Sequence, residues 1–244
     1  MKLFTKTILF ILFISTIAFS QSVVVNKYFN SGAANGVGDI LELLVVQNNL
    51  DLRGMIIKDF SSSMANDGGG KYEFKNVSLW QNLRAGTLII LRTDSSAADI
   101  EPSDFVIDVG LKHPTYFTHR GGTFDIATIE MVMIKSASSD TTGTGVIGSI
   151  HLLAGGTAGA QFTAAPEPKL RATGTSGTDR FVYANNSTSS LSDFNGTDAT
   201  GNATGLTFGY GNNPSNTSYI NSLRGTLPNT TVQFASANQT VNEN

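Results

Sequence analysis

Cysteine is absent from the 244 residues, so no disulfide can brace the chain. Stability has to come from a buried core, which a chain of this length can supply. Charge is scarce too: 14% of residues carry it, as 16 lysines and arginines against 19 acids. That balance omits the basic electrostatics on which nucleic-acid or anionic-membrane binding depends. Only three histidines are present. There is no GxSxG elbow, no HExxH pair and no phosphate-binding loop. Helical periodicity is nearly missing. Beyond residue 20 no apolar run approaches the roughly 20 residues that a membrane helix needs.

What the chain does have begins at its first residue. Lys2 and Lys6 precede the apolar run ILFILFISTIAF, and Ala18-Phe19-Ser20 follows. A basic segment, an apolar segment and small residues at −3 and −1 make Met1 to Ser20 a signal peptide cut before Gln21. An uncleaved anchor is the alternative. With no cysteine behind it, lipid attachment at a processed cysteine is excluded. Losing Lys2 and Lys6 leaves 14 basic residues against 19 acidic ones, a formal charge of −5. The mature chain is expected to be secreted or held at the cell surface, with no membrane span after signal removal.

From Ser22 onward, short β-rich runs alternate with Gly, Asn and Asp punctuation. Ser22 to Phe29 reads as a strand. Ile40 to Val46 is apolar on both faces except at Glu42, as in a strand covered on both sides. Leu52 to Phe60 is the next strand, with a bend at Gly54. Tyr72 and Phe74 alternate with Lys71, Glu73 and Lys75, as in a strand with one face in water. Thr87 to Arg92 is the most β-prone run. Later strands are expected in Phe124 to Ile134 and Val146 to Leu153.

The order and spacing of Val25-Asn26, Asp39-Ile40-Leu41-Glu42-Leu43, Leu50-Asp51-Leu52-Arg53-Gly54, Ile57-Lys58-Asp59, Phe74 and Ala85 to Leu91 resemble the lamin tail domain family. The resemblance is best over residues 23–91. It implies an all-β, immunoglobulin-like β-sandwich fold of the exported bacterial type. Two departures stand out, Lys27 where the family often has an acid and Met55 where an aromatic often follows the glycine. The family shares no catalytic residues, so the resemblance assigns none.

The sandwich is expected over residues 21–165, with later strands reaching as far as about 222. Pro166-Glu167-Pro168 marks a boundary to a polar, turn-rich region, 166–230. Asn, Ser and Thr dominate its second half and favour turns and local side-chain to backbone bonds. A few edge strands there would be anchored by Leu206, Phe208, Tyr210, Tyr219 and Ile220. The tail, 231–244, looks like the opening strand of a Calx-β-type repeat, in Val232 to Ala235 and Thr240 to Asn244. A longer architecture is the expectation that follows.

Candidate chemistry is sparse. His113 and His119, six apart in KHPTYFTHR, would lie about 20 Å apart on one strand at ~3.3 Å per residue, too far for one metal. His151 in GSIHLLAGG reads as a strand residue. Glu42 has Ile40 and Leu44 on its own face, so its carboxylate needs a cation or backbone donors, with Arg53 and Lys58 on the next strand as candidate partners. Gly143 to Gly148 matches a dinucleotide fingerprint in letters, but β-prone residues follow where a phosphate-binding helix should stand. Asp193, Asn195, Asp198 and Asn202 offer hard oxygen ligands for Ca²⁺, as Asp67 does beside three glycines. The order breaks the EF-hand pattern, because Gly196 comes two residues early and no Glu closes the loop.

No catalytic, cofactor-binding or metal-binding residue is therefore assigned. The expected function is a non-catalytic exported module for binding, adhesion or spacing, with carbohydrate or extracellular protein as partner and no nucleic acid. The alternative is an exported hydrolase using Glu42 or the His113/His119 segment, which requires those groups to converge in one pocket.

Overall fold

The computed structural model describes residues 22–225, apart from 61–62, 101–103, 138–143, 175–176 and 187–189. The expected signal peptide, residues 1–20, and the expected start of a Calx-β-type repeat, residues 231–244, lie outside the described residues.

The first run of valines and aromatics forms β1 (Val23–Asn30), with all eight residues buried. It pairs antiparallel with β2 (Ile40–Val45), also buried throughout. β2 pairs in turn with β5 (Leu88–Arg92), and β5 runs parallel to β7 (Val106–Gly110). With the short edge strand β6 (Ala98–Asp99), and with β12 (Arg180–Ala184) and β13 (Ala199–Ala203) at the other end, these make a seven-stranded sheet. Its order is β13-β12-β1-β2-β5-β7-β6. The second sheet has six strands in the order β11-β10-β9-β3-β4-β8. They are β3 (Ile56–Asp59), β4 (Lys71–Phe74), β8 (Phe117–Gly121), β9 (Glu130–Lys135), β10 (Ser149–Gly155) and β11 (Lys169–Ala172). The protein is an all-β sandwich of two mixed sheets.

Period-2 alternation sorts the side chains. Leu41, Leu43, Ile89, Leu91, Val132 and Ile134 fill the space between the sheets together with Tyr28, Phe74 and Trp80. The opposite face of the first sheet is also apolar: Phe29, Ile40, Ile90 and Phe181 pack there against Phe208. Met131, Met133 and Leu152 on the outside of the second sheet meet Phe60, Met64 and Ala165. Both outer faces thus need covers. The segment from Leu206 into α2 (Pro214–Arg224) supplies one. The loop after β3 and the short helix α1 (Ala160–Ala164) supply the other.

Three expectations need correction. The run Leu52 to Phe60 is a strand only over Ile56–Asp59. Gly54, at φ +75°, turns the chain just before it. β3 also does not lie beside β2, because the chain crosses to the second sheet between them. Finally, the polar region after Pro166 does not stand apart: β11 pairs with β10, β12 pairs with β1, and β13 extends the first sheet. Open sheet edges recruited these residues where propensity did not. The last strand, β13, ends at Ala203; Leu206, Phe208 and Tyr210, expected on edge strands, lie in the loop after it, and Tyr219 and Ile220 lie in α2.

Candidate binding groove

The chain's single tryptophan organises one part of the surface. Trp80, fully buried, ends a 3₁₀ turn in the loop between β4 and β5. Its ring meets Phe74 edge-on at 4.9 Å and Phe117 at 5.5 Å. Its indole N–H donates to the Tyr116 carbonyl at 3.1 Å, so two loops are locked together. The β4–β5 loop is further pinned by reciprocal backbone bonds between Leu50 and Leu83 at 3.1 and 3.0 Å. Asn48 Oδ1 accepts from the Ala85 N–H at 3.0 Å.

Around this anchor the surface opens into a groove of about 520 Å³, lined by Val77 to Leu79, Gln81 to Arg84, Thr87, Ile100, Thr115 and Tyr116. That volume lies in the range of small-ligand sites. The Tyr116 ring forms one wall, 6.0 Å from Trp80 and 4.5 Å from the His113 ring. Arg84, the one charged residue in the lining, places its guanidinium carbon 4.0 Å from the centre of the Phe105 ring. Gln81, Asn82, Ser78 and Thr115 supply amides and hydroxyls. An apolar floor, an aromatic wall and neutral polar groups can bind an uncharged polar ligand. Two further hollows, of about 450 and 370 Å³, lie beside β4, one toward Lys112 to His119 and one toward Asp51 to Gly54.

The residues singled out from sequence lie elsewhere. Glu42 is fully buried on the outer face of the first sheet, under the strap of residues 206–216. There a β-bulge makes Asn26 an extra residue between the pairs Val25↔Leu43 and Lys27↔Glu42. Such a bulge re-aims side chains, and here Asn26 and Lys27 both reach Glu42. Lys27 Nζ lies 3.4 Å from Glu42 Oε1, and Asn26 Nδ2 donates to the same oxygen at 2.8 Å. The Gly209 N–H donates to Oε2 at 2.7 Å. Lys27 also donates to the carbonyls of Thr207 and Tyr210 at 2.7 and 2.8 Å. Burial raises the Glu42 pKa and lowers that of Lys27, and each partner's charge opposes the shift in the other.

Neither expected partner reaches Glu42. Arg53 is held at the surface by Asp51 Oδ2 at 2.6 Å and Asn76 Oδ1 at 2.9 Å. Lys58 sits against Asp67 in the other sheet. His113 accepts from the Thr115 N–H at 3.2 Å, while His119 on β8 bonds the Gly122 carbonyl at 2.8 Å and stacks on Tyr72 at 4.9 Å. His151 bridges the two sheets from inside. Its Nδ1 accepts from the Val25 N–H at 3.0 Å and its Nε2 reaches the Phe194 carbonyl at 3.0 Å, so the ring is neutral. Burial lowers its pKa to about 3. Glu42 and the three histidines therefore do not converge.

The fingerprint-like glycines lead directly into β10, and the Gly145 N–H donates to Asp67 Oδ2 at 2.6 Å. Asp193 closes a capping box with Ser190, and Asn195 Oδ1 accepts from the Lys169 N–H at 3.0 Å. Among the described residues no group of three or more His, Asp or Glu side chains is placed to hold a metal ion.

Sequence reasoning missed the buried carboxyls Asp39, Asp59 and Glu130. Burial raises Asp39 to about 6 and Asp59 to about 8, and raises Glu130 well above the usual carboxylate range. Glu130 accepts from the Phe60, Met131 and Ala127 N–H groups, while Asp59 accepts from that of Asp125. It missed the groove as well. The signals were a lone Trp in a polar loop and the Tyr in KHPTYFTHR, whose histidines drew attention instead. Comparison with protein-family models, with curated proteins and with solved structures finds no match to this chain.

Proposed function

We propose that this chain is an exported, immunoglobulin-like β-sandwich module that binds a neutral polar ligand, a carbohydrate, in the groove lined by Tyr116, Gln81 and Asn82. The observation that carries the reading is the groove's wall: an aromatic ring fixed from behind by a buried tryptophan, faced by amides and hydroxyls. A rigid aromatic face gives contact area at low entropic cost, and neighbouring polar groups give orientation. Export rests on Met1 to Ser20, and the immunoglobulin-like class on the lamin-tail resemblance. A formal charge of −5 after signal removal suits an uncharged ligand better than an anionic one.

The test is depletion of residues 21–244 from solution by cellulose, chitin and peptidoglycan suspensions. Wild type is expected to bind at least one of them. Tyr116→Ala should weaken that binding about tenfold, the equivalent of ~1.4 kcal/mol of lost ring contact. Equal retention of wild type and Tyr116→Ala on every matrix would end the carbohydrate reading.

A further inference from the structure

Three lysines of the sandwich are fully buried, and two of them show how this fold accommodates an ammonium. Lys27 donates to the carbonyls of Thr207 and Tyr210, and Lys135 to those of Thr144 and Gly145. Each has two good acceptors, as a buried cation requires.

Lys58 breaks the pattern. Its side chain is 0% exposed, yet its Nζ makes no hydrogen bond. The nitrogen lies 4.6 Å from the centre of the Phe60 ring and directly against Asp67 Oδ1. That oxygen is itself buried and makes no hydrogen bond either, so the two atoms touch without hydrogen-bond geometry. The cross-strand neighbour of Lys58 is another lysine, Lys71. Asp67 and the charge of Asp59 favour the ammonium, while burial and the charge of Lys71 oppose it. Burial lowers the Lys58 pKa, which favours the neutral, nucleophilic amine.

The opposite side of the Asp67 carboxyl is organised differently. Oδ2 accepts the Gly145 backbone N–H at 2.6 Å. That donor is placed where negative charge would gather if Cγ were attacked from the Lys58 side. The carboxyl side chain is 24% exposed, which leaves a released water a way out.

We propose that Lys58 and Asp67 condense to an intramolecular amide that staples the loop between β3 and β4 onto the outer face of the second sheet. The ammonium first passes a proton to Oδ1, giving a neutral amine and a carboxylic acid. The amine lone pair attacks Cγ, the C–N bond forms, and Oδ2 takes the developing charge against the Gly145 N–H. Nζ then gives its second proton to the Oδ1 hydroxyl, the C–Oδ1 bond breaks and water leaves. The product is a secondary amide whose carbonyl oxygen is Oδ2 and whose nitrogen keeps one hydrogen. Nothing is oxidised or reduced, and no co-reactant is needed. Contact between Nζ and the carboxyl group supplies the proximity that makes such a step effectively unimolecular. In a cysteine-free chain the bond would do what a disulfide does elsewhere.

The experiment is mass spectrometry of the purified chain. The intact mass is expected to be about 18 Da, one water, below the mass of the same sequence uncondensed. Trypsin should fail at Lys58 and yield one peptide from Gly54 to Lys71, short by one water. Backbone fragments should be missing between Lys58 and Asp67, because a break inside the closed loop releases nothing. Asp67-Gly68 can also lose water alone, by closing to a succinimide. Lys58→Arg separates the two: its mass should return to the full sequence value, whereas a retained 18 Da deficit would overturn the proposal. A wild-type chain of full mass that trypsin cuts after Lys58 would overturn it as well, and that reading needs no variant to fold.

Discussion

Lys27 and Glu42 stand 3.4 Å apart with both side chains at 0% exposure. Removing one member leaves the other charged, buried and uncompensated, which typically costs about 3–5 kcal/mol. Glu42→Ala is therefore expected to lower the urea unfolding free energy by that amount. The pair Lys27→Met with Glu42→Leu should cost less than the two single changes summed. Strict additivity in that cycle would show that the pair is not coupled. The apolar flanks Ile40 and Leu44 made the burial of Glu42 legible. Its partner was not legible, for two physical reasons. Neighbours in a sheet are not neighbours in sequence, so β3, with Lys58, belongs to the other layer. The one-residue bulge at Asn26, which turns Lys27 toward Glu42, leaves no mark in a run reading VVVNKYF. The groove was hidden for a similar reason, since Trp80 and Tyr116 come together through a side-chain to backbone bond and a ring contact across 36 residues.

At the next scale, the strap of residues 206–224 covers the Phe29, Ile40, Ile90 and Phe181 face through Phe208. Its helix α2 begins at Asn213, whose side chain accepts from the Asn216 N–H at 2.9 Å, with Pro214 in the first turn. Asn216 reaches on to Asn26 Oδ1 at 3.0 Å, so the cap is wired to the bulge in β1. Loss of an asparagine cap costs about 1 kcal/mol. Asn213→Ala should thus speed amide exchange across residues 206–224 while β9 and β10 keep their protection. Uniform acceleration over the whole chain would mean that the strap does not open as a separate unit. Aliphatic density made β1, β2, β5 and β9 readable from the sequence. β13 was not readable, because Ala199–Ala203 has little β propensity and is a strand only through the edge that β12 offers.

For the whole molecule, the shifted groups set a pH dependence whose parts have opposite signs. Asp59 moves from 3.8 to about 8 and Asp39 from 3.8 to about 6, both because burial disfavours the carboxylate. Each binds its proton more tightly folded than unfolded. Its contribution is complete below pH 3.8 and is lost as pH rises through the folded value. His151 moves from 6.5 to about 3, again through burial. Its contribution is complete above pH 6.5 and is lost as pH falls toward 3. Between 3.8 and 6 the histidine offsets one of the two aspartates. Between 6.5 and 8 it is silent, Asp39 has finished titrating, and Asp59 still loses stability at about 1.4 kcal/mol per pH unit. Glu130 and Glu42, raised by burial, carry the same sign as the aspartates, and Lys27, lowered by burial, carries the sign of His151. The difference between two chains isolates the carboxyl. Over pH 6.5 to 8 the urea midpoint of wild type should fall more steeply than that of Asp59→Asn, which has no proton to lose. Parallel slopes would mean that Asp59 is already ionised in the folded protein, held so by the neighbouring charge of Lys58.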